Sequence, residues 1–125
     1  MLAYLIKELK SFRHAFSGLK FLLSDHNFYF HLPVGGLVVI AGFFFGVSKF
    51  EWMWLVAAIL SVWITEALNT AIEGIVDIVS PEFDPKAGRV KDIAAAAVFL
   101  SVVFAGIVGI LVFSPYLIGW LGIGA

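Results

Sequence analysis

Glu66-Ala67-Leu68-Asn69-Thr70-Ala71-Ile72-Glu73-Gly74-Ile75-Val76-Asp77 decides the reading of this chain, because it sets three carboxylates and an amide into an apolar helical run. Glu66, Asn69, Glu73 and Asp77 are offset by 0, 3, 7 and 11 residues. At roughly 100° per residue they fall within about an 80° arc of one face. The run from Met53 to Thr65 just before them is apolar. Carboxylates at bilayer depth are costly unless they line a polar cavity or bind something, so the stripe is a candidate functional site. No cation shares it. An external positive charge is needed, and a divalent metal is the natural candidate.

Composition supports the membrane setting. Of 125 residues, 62% are hydrophobic and 14% charged, against about 45–50% and about 25% in soluble domains. The net charge of −1 and the lack of any basic run argue against nucleic acid as a partner. There is no cysteine, which excludes disulfides, thiolate metal sites and cysteine nucleophiles. Charges recurring through Lys7, Glu8, Lys10 and Arg13 do not read as a cleavable signal. The expectation is a single all-α membrane domain over 1–125, too small to enclose a large site alone and therefore oligomeric.

Residues 1–23 read as a surface helix. Leu2, Leu5, Ile6, Leu9, Phe12, Phe16 and Leu19 share one face, with Lys7, Ser11, His14 and Gly18 opposite. Membrane helices are expected at 28–47, 52–79 and 92–113, with Pro33 tolerated in the first turn of the first. Ser48 to Glu51 reads as a tight turn, and Ser80 to Pro85 as a loop stopped by two prolines. Lys91 or Asp92 is expected to open the third span and Ser114-Pro115 to end it, leaving 114–125 as a tail. Seven basic residues precede span one or separate spans two and three, while only Lys49 lies on the other side. That imbalance puts the N-terminus and the 79–92 loop in the cytoplasm.

The Glu-x-x-Asn-Thr-Ala-Ile-Glu-x-x-x-Asp run, followed after a loop by Lys91-Asp92 and an alanine run, resembles the prokaryotic diacylglycerol kinase and undecaprenol kinase family. The likeness covers nearly the whole chain, surface helix included. It implies an ATP- and magnesium-dependent kinase of a lipid hydroxyl in the bacterial inner membrane, working as a homotrimer with sites shared between protomers. Polar packing between helices of a transporter fragment is the alternative.

The resemblance also implies roles. Glu66 matches the catalytic base and lies deepest of the stripe. Glu73 matches the magnesium-binding glutamate, and its partner corresponds to Asp25, in Asp25-His26-Asn27-Phe28 where relatives carry Glu-Arg-Asn-Phe. Aspartate is one methylene shorter, and the segment from Gly18 is one residue shorter, so Asp25 as a plain helix cap stays open. Asn69 would donate to a phosphate or orient Glu66. Asp77 disfavours the helix dipole at its end, and Lys91 is the candidate to compensate it. Lys91 stands where the family contacts ATP phosphates, or else is an anchor on the cytoplasmic side. Asp92 is a nucleotide contact or a cap of span three.

Glu82 and Asp84 match nucleotide-contacting positions or are solvated loop charges, and Lys7 and His14 match nucleotide contacts on the surface helix. Thr70, Ala71, Gly74 and Ala94 to Ala97 read as small residues for close helix approach. There is no glycine-rich phosphate loop or Walker lysine, so a nucleotide site would be built differently from that of soluble kinases.

For the acceptor, Asn27-Phe28-Tyr29-Phe30-His31 resembles the Asn-Phe-x-x-His element of the undecaprenol type, and the extension past Pro115 points the same way. Undecaprenol is favoured over diacylglycerol, with Phe28 and Phe30 beside Glu66 as lipid contacts. A proton or cation conduit is the reading from another class, since acidic rings also line channels.

Overall fold

The described residues form four helices, α1 Leu2–Leu23, α2 Phe28–Phe45, α3 Lys49–Val79 and α4 Pro85–Trp120. The computed structural model describes residues 1–124. Helices α2, α3 and α4 are each long and apolar enough to cross a bilayer. The all-α architecture with three long apolar helices is therefore observed, while several helix ends differ from expectation.

Each difference has a local cause. At α3 the Ser48 hydroxyl accepts from the Glu51 amide at 3.2 Å, and the Glu51 carboxylate accepts from the Ser48 amide at 2.7 Å. This capping box makes residues 49–51 the first turn of the helix rather than a turn before it. Gly46, at φ 64°, closes α2 in the left-handed region, so the first span ends at Phe45 and not at 47. Pro33 lies beyond the first turn of α2, where it removes the amide that would reach the Tyr29 carbonyl.

The third span needs the larger correction. It opens at Pro85, not at Lys91 or Asp92, because Asp84 caps it by accepting from the Lys86 amide at 2.8 Å. Proline suits the first helical position, whose amide needs no partner within the helix. Lys91 and Asp92 lie in the second turn, and the reading of Asp92 as the cap falls. At the other end α4 runs through Pro115 to Trp120, so 114–120 is helix rather than tail. The proline removes one backbone hydrogen bond. Ending the helix inside an apolar run would orphan several, and those are worse in a membrane.

Helices α3 and α4 lie antiparallel and are pinned at three levels. The Tyr116 hydroxyl donates to Glu51 Oε2 at 2.6 Å, the Thr65 and Ser101 hydroxyls lie 2.8 Å apart, and Lys91 donates to Asp77. Helix α2 presses on α3 at two glycines: a Cβ at Gly42 would fall 2.5 Å from the Trp52 ring, and one at Gly35 3.1 Å from Trp63. The core of Val47, Leu55, Ala58, Val108 and Val112 gathers beside Gly42 and Trp52 at this end. There α2 also meets α4, with the Phe45 ring centroid 6.0 Å from Phe113 and 5.9 Å from Tyr116. Helix α1 buries no residue, and its apolar face, from Leu2 and Leu5 through Leu9 and Phe12 to Phe16, is left uncovered.

Candidate active site

The stripe on α3 runs from inside to outside. Glu66 is 3% exposed and Asn69 5%, Glu73 is half-buried, and Asp77 is exposed. What covers Glu66 is set by an aromatic lock between α2 and α3. Phe28 is fully buried and meets Trp63 edge to face, with centroids 5.6 Å apart. The Trp63 indole N–H donates to the His31 carbonyl at 3.4 Å. So fixed, α2 holds His31 Nε2 3.6 Å from Glu66 Oε2.

His31 lines an apolar cavity of about 350 Å³, and Glu66 sits behind it, facing the His31 ring rather than the cavity lining. Phe30, Val34 and Val38 of α2 form one wall and Val102, Ala105 and Gly109 of α4 the other. Leu55, Ala58, Ile59 and Val62 of α3 make the floor, and Phe113 lies at the closed end. Phe30 thus lines the cavity beside His31. Phe28, expected to do the same, instead supports Trp63 from within the α2–α3 contact.

A second cavity, of about 530 Å³, opens between α1 and the other side of the stripe. Gly18 and Leu22 of α1, Asp25, and Ala67, Thr70 and Ala71 of α3 line it. Asp25 Oδ1 accepts from the Asn27 amide at 2.9 Å, which shapes the turn between α1 and α2. Asn27, not Asp25, is the residue before α2, and it makes no side-chain cap. Asp25 and Glu73 both lie near enough for their charges to act on Glu66. Asn69 Nδ2 donates to Glu73 Oε1 at 3.3 Å, a partner the sequence did not offer it. Its Oδ1 and the Thr70 hydroxyl are buried without a hydrogen-bond partner among the described residues. Each such orphan is unfavourable by about 1–3 kcal/mol, and each is a place where a ligand would be welcome.

The remaining candidates divide. Asp77, Glu82, Asp84 and Lys91 surround a shallow cavity of about 230 Å³ at the turn between α3 and α4. Lys91 donates to Asp77 there, an exposed pair that stabilises by roughly 0–1 kcal/mol. Lys7 and His14 are exposed on α1 and line none of these three cavities. Asp92 is exposed and outside them as well. The residue that sequence reasoning missed is His31, taken there only as a mark of acceptor type. One signal was available: between residues 28 and 47 it is the sole histidine, and no Asp, Glu, Lys or Arg accompanies it.

Among the described residues no three His, Asp or Glu side chains gather to cage a metal. Asp25 and Glu73 would supply only two carboxylates. That donor set fits magnesium, which takes one or two carboxylates and completes its shell with water and substrate phosphate. It does not fit a cation caged by protein alone.

Comparison with known proteins agrees with this layout. The profile described as prokaryotic diacylglycerol kinase matches residues 13–113. The chain is 39% identical over 109 residues to the undecaprenol kinase of Bacillus subtilis (strain 168), covering 86% of this chain and 89% of that one. It is 32% identical over 108 residues to the diacylglycerol kinase of Haemophilus influenzae, covering 84% and 92%. With the diacylglycerol kinase of Escherichia coli (strain K12) it shares 33% identity over 69 residues, 55% and 57% of the two chains. The matched region runs from the C-terminal half of α1 through the acidic stripe to the closed end of the apolar cavity, and the chain belongs to the prokaryotic diacylglycerol kinase family.

Proposed function

We propose that this chain transfers the γ-phosphoryl group of ATP, with Mg²⁺, to the hydroxyl of a membrane lipid, and that the lipid is undecaprenol. The observation that carries the proposal is a buried carboxylate, Glu66, at the inner end of an acidic stripe and 3.6 Å from His31, which lines an apolar cavity. A lipid tail lying in the cavity would bring its hydroxyl to Glu66. The hydroxyl oxygen attacks the γ-phosphorus while its proton passes to the Glu66 carboxylate. The bond from the γ-phosphorus to the β–γ bridging oxygen breaks, and ADP leaves.

Asp25 and Glu73 are the residues to hold magnesium, beside the orphaned Asn69 oxygen and Thr70 hydroxyl. Bound magnesium neutralises charge on the phosphates. Lys91 would exchange Asp77 for a phosphate, with Glu82, Asp84 and Asp92 around the same turn. Lys7 and His14 would reach the nucleotide on a neighbouring copy within a homotrimer, since they line none of the three cavities described above. The uncovered apolar face of α1 suits a helix lying on the bilayer. The distribution of basic residues supports a cytoplasmic N-terminus in the bacterial inner membrane.

Two observations favour undecaprenol: the largely apolar lining of the cavity, in which only His31 and Trp63 carry donors and the Trp63 N–H is taken by the His31 carbonyl, and the similarity to the Bacillus subtilis undecaprenol kinase. The Haemophilus influenzae relative supports diacylglycerol as the second reading. The test is transfer from labelled ATP to each purified lipid in the same micelles, with and without a magnesium chelator. Undecaprenol should show at least a tenfold higher kcat/KM, about 1.4 kcal/mol of discrimination, and chelator should abolish transfer. A tenfold preference for diacylglycerol would replace the acceptor and keep the kinase. Transfer undiminished by chelator would remove magnesium, and no transfer to either lipid would return the stripe to a conduit.

A further inference from the structure

Two interactions from neighbouring turns of α3 converge on one residue of α2. Trp63 holds the backbone of His31 through its indole N–H, and Glu66, one turn on, faces the His31 ring. At Gly35, where a Cβ would fall 3.1 Å from Trp63, α2 packs tightly against the same indole. Phe28 buttresses the same indole from the other side. The His31 ring is itself largely buried, with 18% of the side chain exposed, and it also lines the apolar cavity. A residue locked at its backbone, aimed at a buried carboxylate and placed at the head of a cavity is arranged for more than packing.

Only one imidazole nitrogen faces the carboxylate, and the edge of the ring that faces it is Nε2. At 3.6 Å the pair is one small side-chain adjustment from a hydrogen bond. Held by Nε2–H, Oε2 cannot turn, and Oε1 is left to take a proton. Without that partner a carboxylate rotates between its two oxygens, and the geometry of proton transfer is lost for much of the time.

We propose that His31 is the positioning residue of the transfer, with its Nε2–H fixing Glu66 Oε2 so that Oε1 faces the acceptor hydroxyl at the head of the apolar cavity. The inference rests on the lipid-kinase reading and adds to it a residue that acts through Glu66 rather than on the phosphates. It also gives the histidine of Asn27-Phe28-Tyr29-Phe30-His31 a task in the reaction rather than in acceptor choice.

The test uses two amides. The glutamine side-chain nitrogen falls close to the position of Nε2, whereas that of asparagine falls close to Nδ1 and cannot reach Glu66. The full-length chain, His31→Gln and His31→Asn are compared in micelles with labelled ATP and both lipids, with gel-filtration profiles matched first. His31→Gln should keep kcat within about threefold of the unsubstituted chain. His31→Asn should lose roughly 10- to 100-fold in kcat, as removal of an orienting partner does at other sites, with KM for ATP within about twofold and the same loss for either lipid. Equal kcat for the two variants, both high or both low, overturns the positioning role. So does a loss in His31→Asn that appears in KM for ATP instead of kcat. An unsubstituted chain that phosphorylates neither lipid overturns the kinase reading and this inference with it, an outcome distinct from equal variants of an active enzyme.

Discussion

The two ends of the three-span unit are built on opposite terms. At the end holding Ser48, Glu51 and Tyr116, those three residues are joined by hydrogen bonds, and glycine, tryptophan and phenylalanine close the helices on one another. At the end holding His31, Glu66, Asn69 and Thr70, two polar atoms are orphaned, carboxylates gather without a cation on their stripe, and cavities open on both sides. Both ends belong to the same helices, so the difference does not come from helix propensity. It comes from which side chains each helix directs inward. A protein that must be stable and must also bind charge can keep the two tasks apart along one axis, and this one does.

The largest effect should come from the open end, and it should be an effect on rate alone. Glu66→Gln keeps the size of the side chain and can still accept from His31, but it cannot take a proton. Turnover with either lipid should fall about 10²–10⁴-fold, while thermal unfolding in the same detergent stays within a degree or two of the unsubstituted chain. A rate within threefold of normal would assign Glu66 to packing and erase the distinction between the ends.

How much of that distinction was legible in the sequence follows from how far each signal reaches along the chain. Helical periodicity is local, so the stripe from Glu66 to Asp77 and the amphipathic first helix could be read directly. Proline is local too, but its meaning depends on position. Pro85 and Pro115 both read as breaks, yet one opens α4 and the other lies inside it. The His31–Glu66 pair joins two helices, and nothing in a one-dimensional pattern brings them together. Phe28 and Phe30 illustrate the same limit. Two residues apart on one helix, one is sealed against Trp63 and the other opens on the cavity. Asn69 and Glu73, which share a hydrogen bond, were the easiest to group, because a single helix carries both.

The closed end should answer in stability instead. Gly42 has no space for a side chain, since even a Cβ would meet the Trp52 ring at 2.5 Å. Gly42→Leu should destabilise the protein by about 1–3 kcal/mol, the usual range for overpacking a core, measured as a lower midpoint of unfolding in mild detergent. The fraction that remains folded should retain kcat, because Gly42 lies outside the cavity and about three helical turns from His31 along α2. A variant of normal stability would mean that the Gly42–Trp52 contact does not hold α2 to α3. A folded variant of low kcat would mean that the two ends are coupled.

The smallest effects should be the most discriminating, because one chemical edit can be made at both ends. Tyr116→Phe and Thr70→Val each delete a hydroxyl group. At the closed end the Tyr116 hydroxyl donates to Glu51 at 2.6 Å, and the same carboxylate caps α3, so its loss leaves Glu51 short of a partner and lowers the unfolding midpoint. At the open end the Thr70 hydroxyl is buried with no partner, so its loss removes an unfavourable group. Without ligand, Thr70→Val should match the unsubstituted chain or exceed it by up to about 1 kcal/mol. The sign should reverse once MgATP is added. If the hydroxyl serves the bound nucleotide, saturating MgATP raises the midpoint of the unsubstituted chain more than that of Thr70→Val, because a ligand stabilises in proportion to the affinity it finds. For Tyr116→Phe the increment from MgATP should be the same as for the unsubstituted chain. Equal increments in all three proteins would show that Thr70 is an unpaired packing residue, and the orphaned groups of the open end would then owe nothing to the nucleotide.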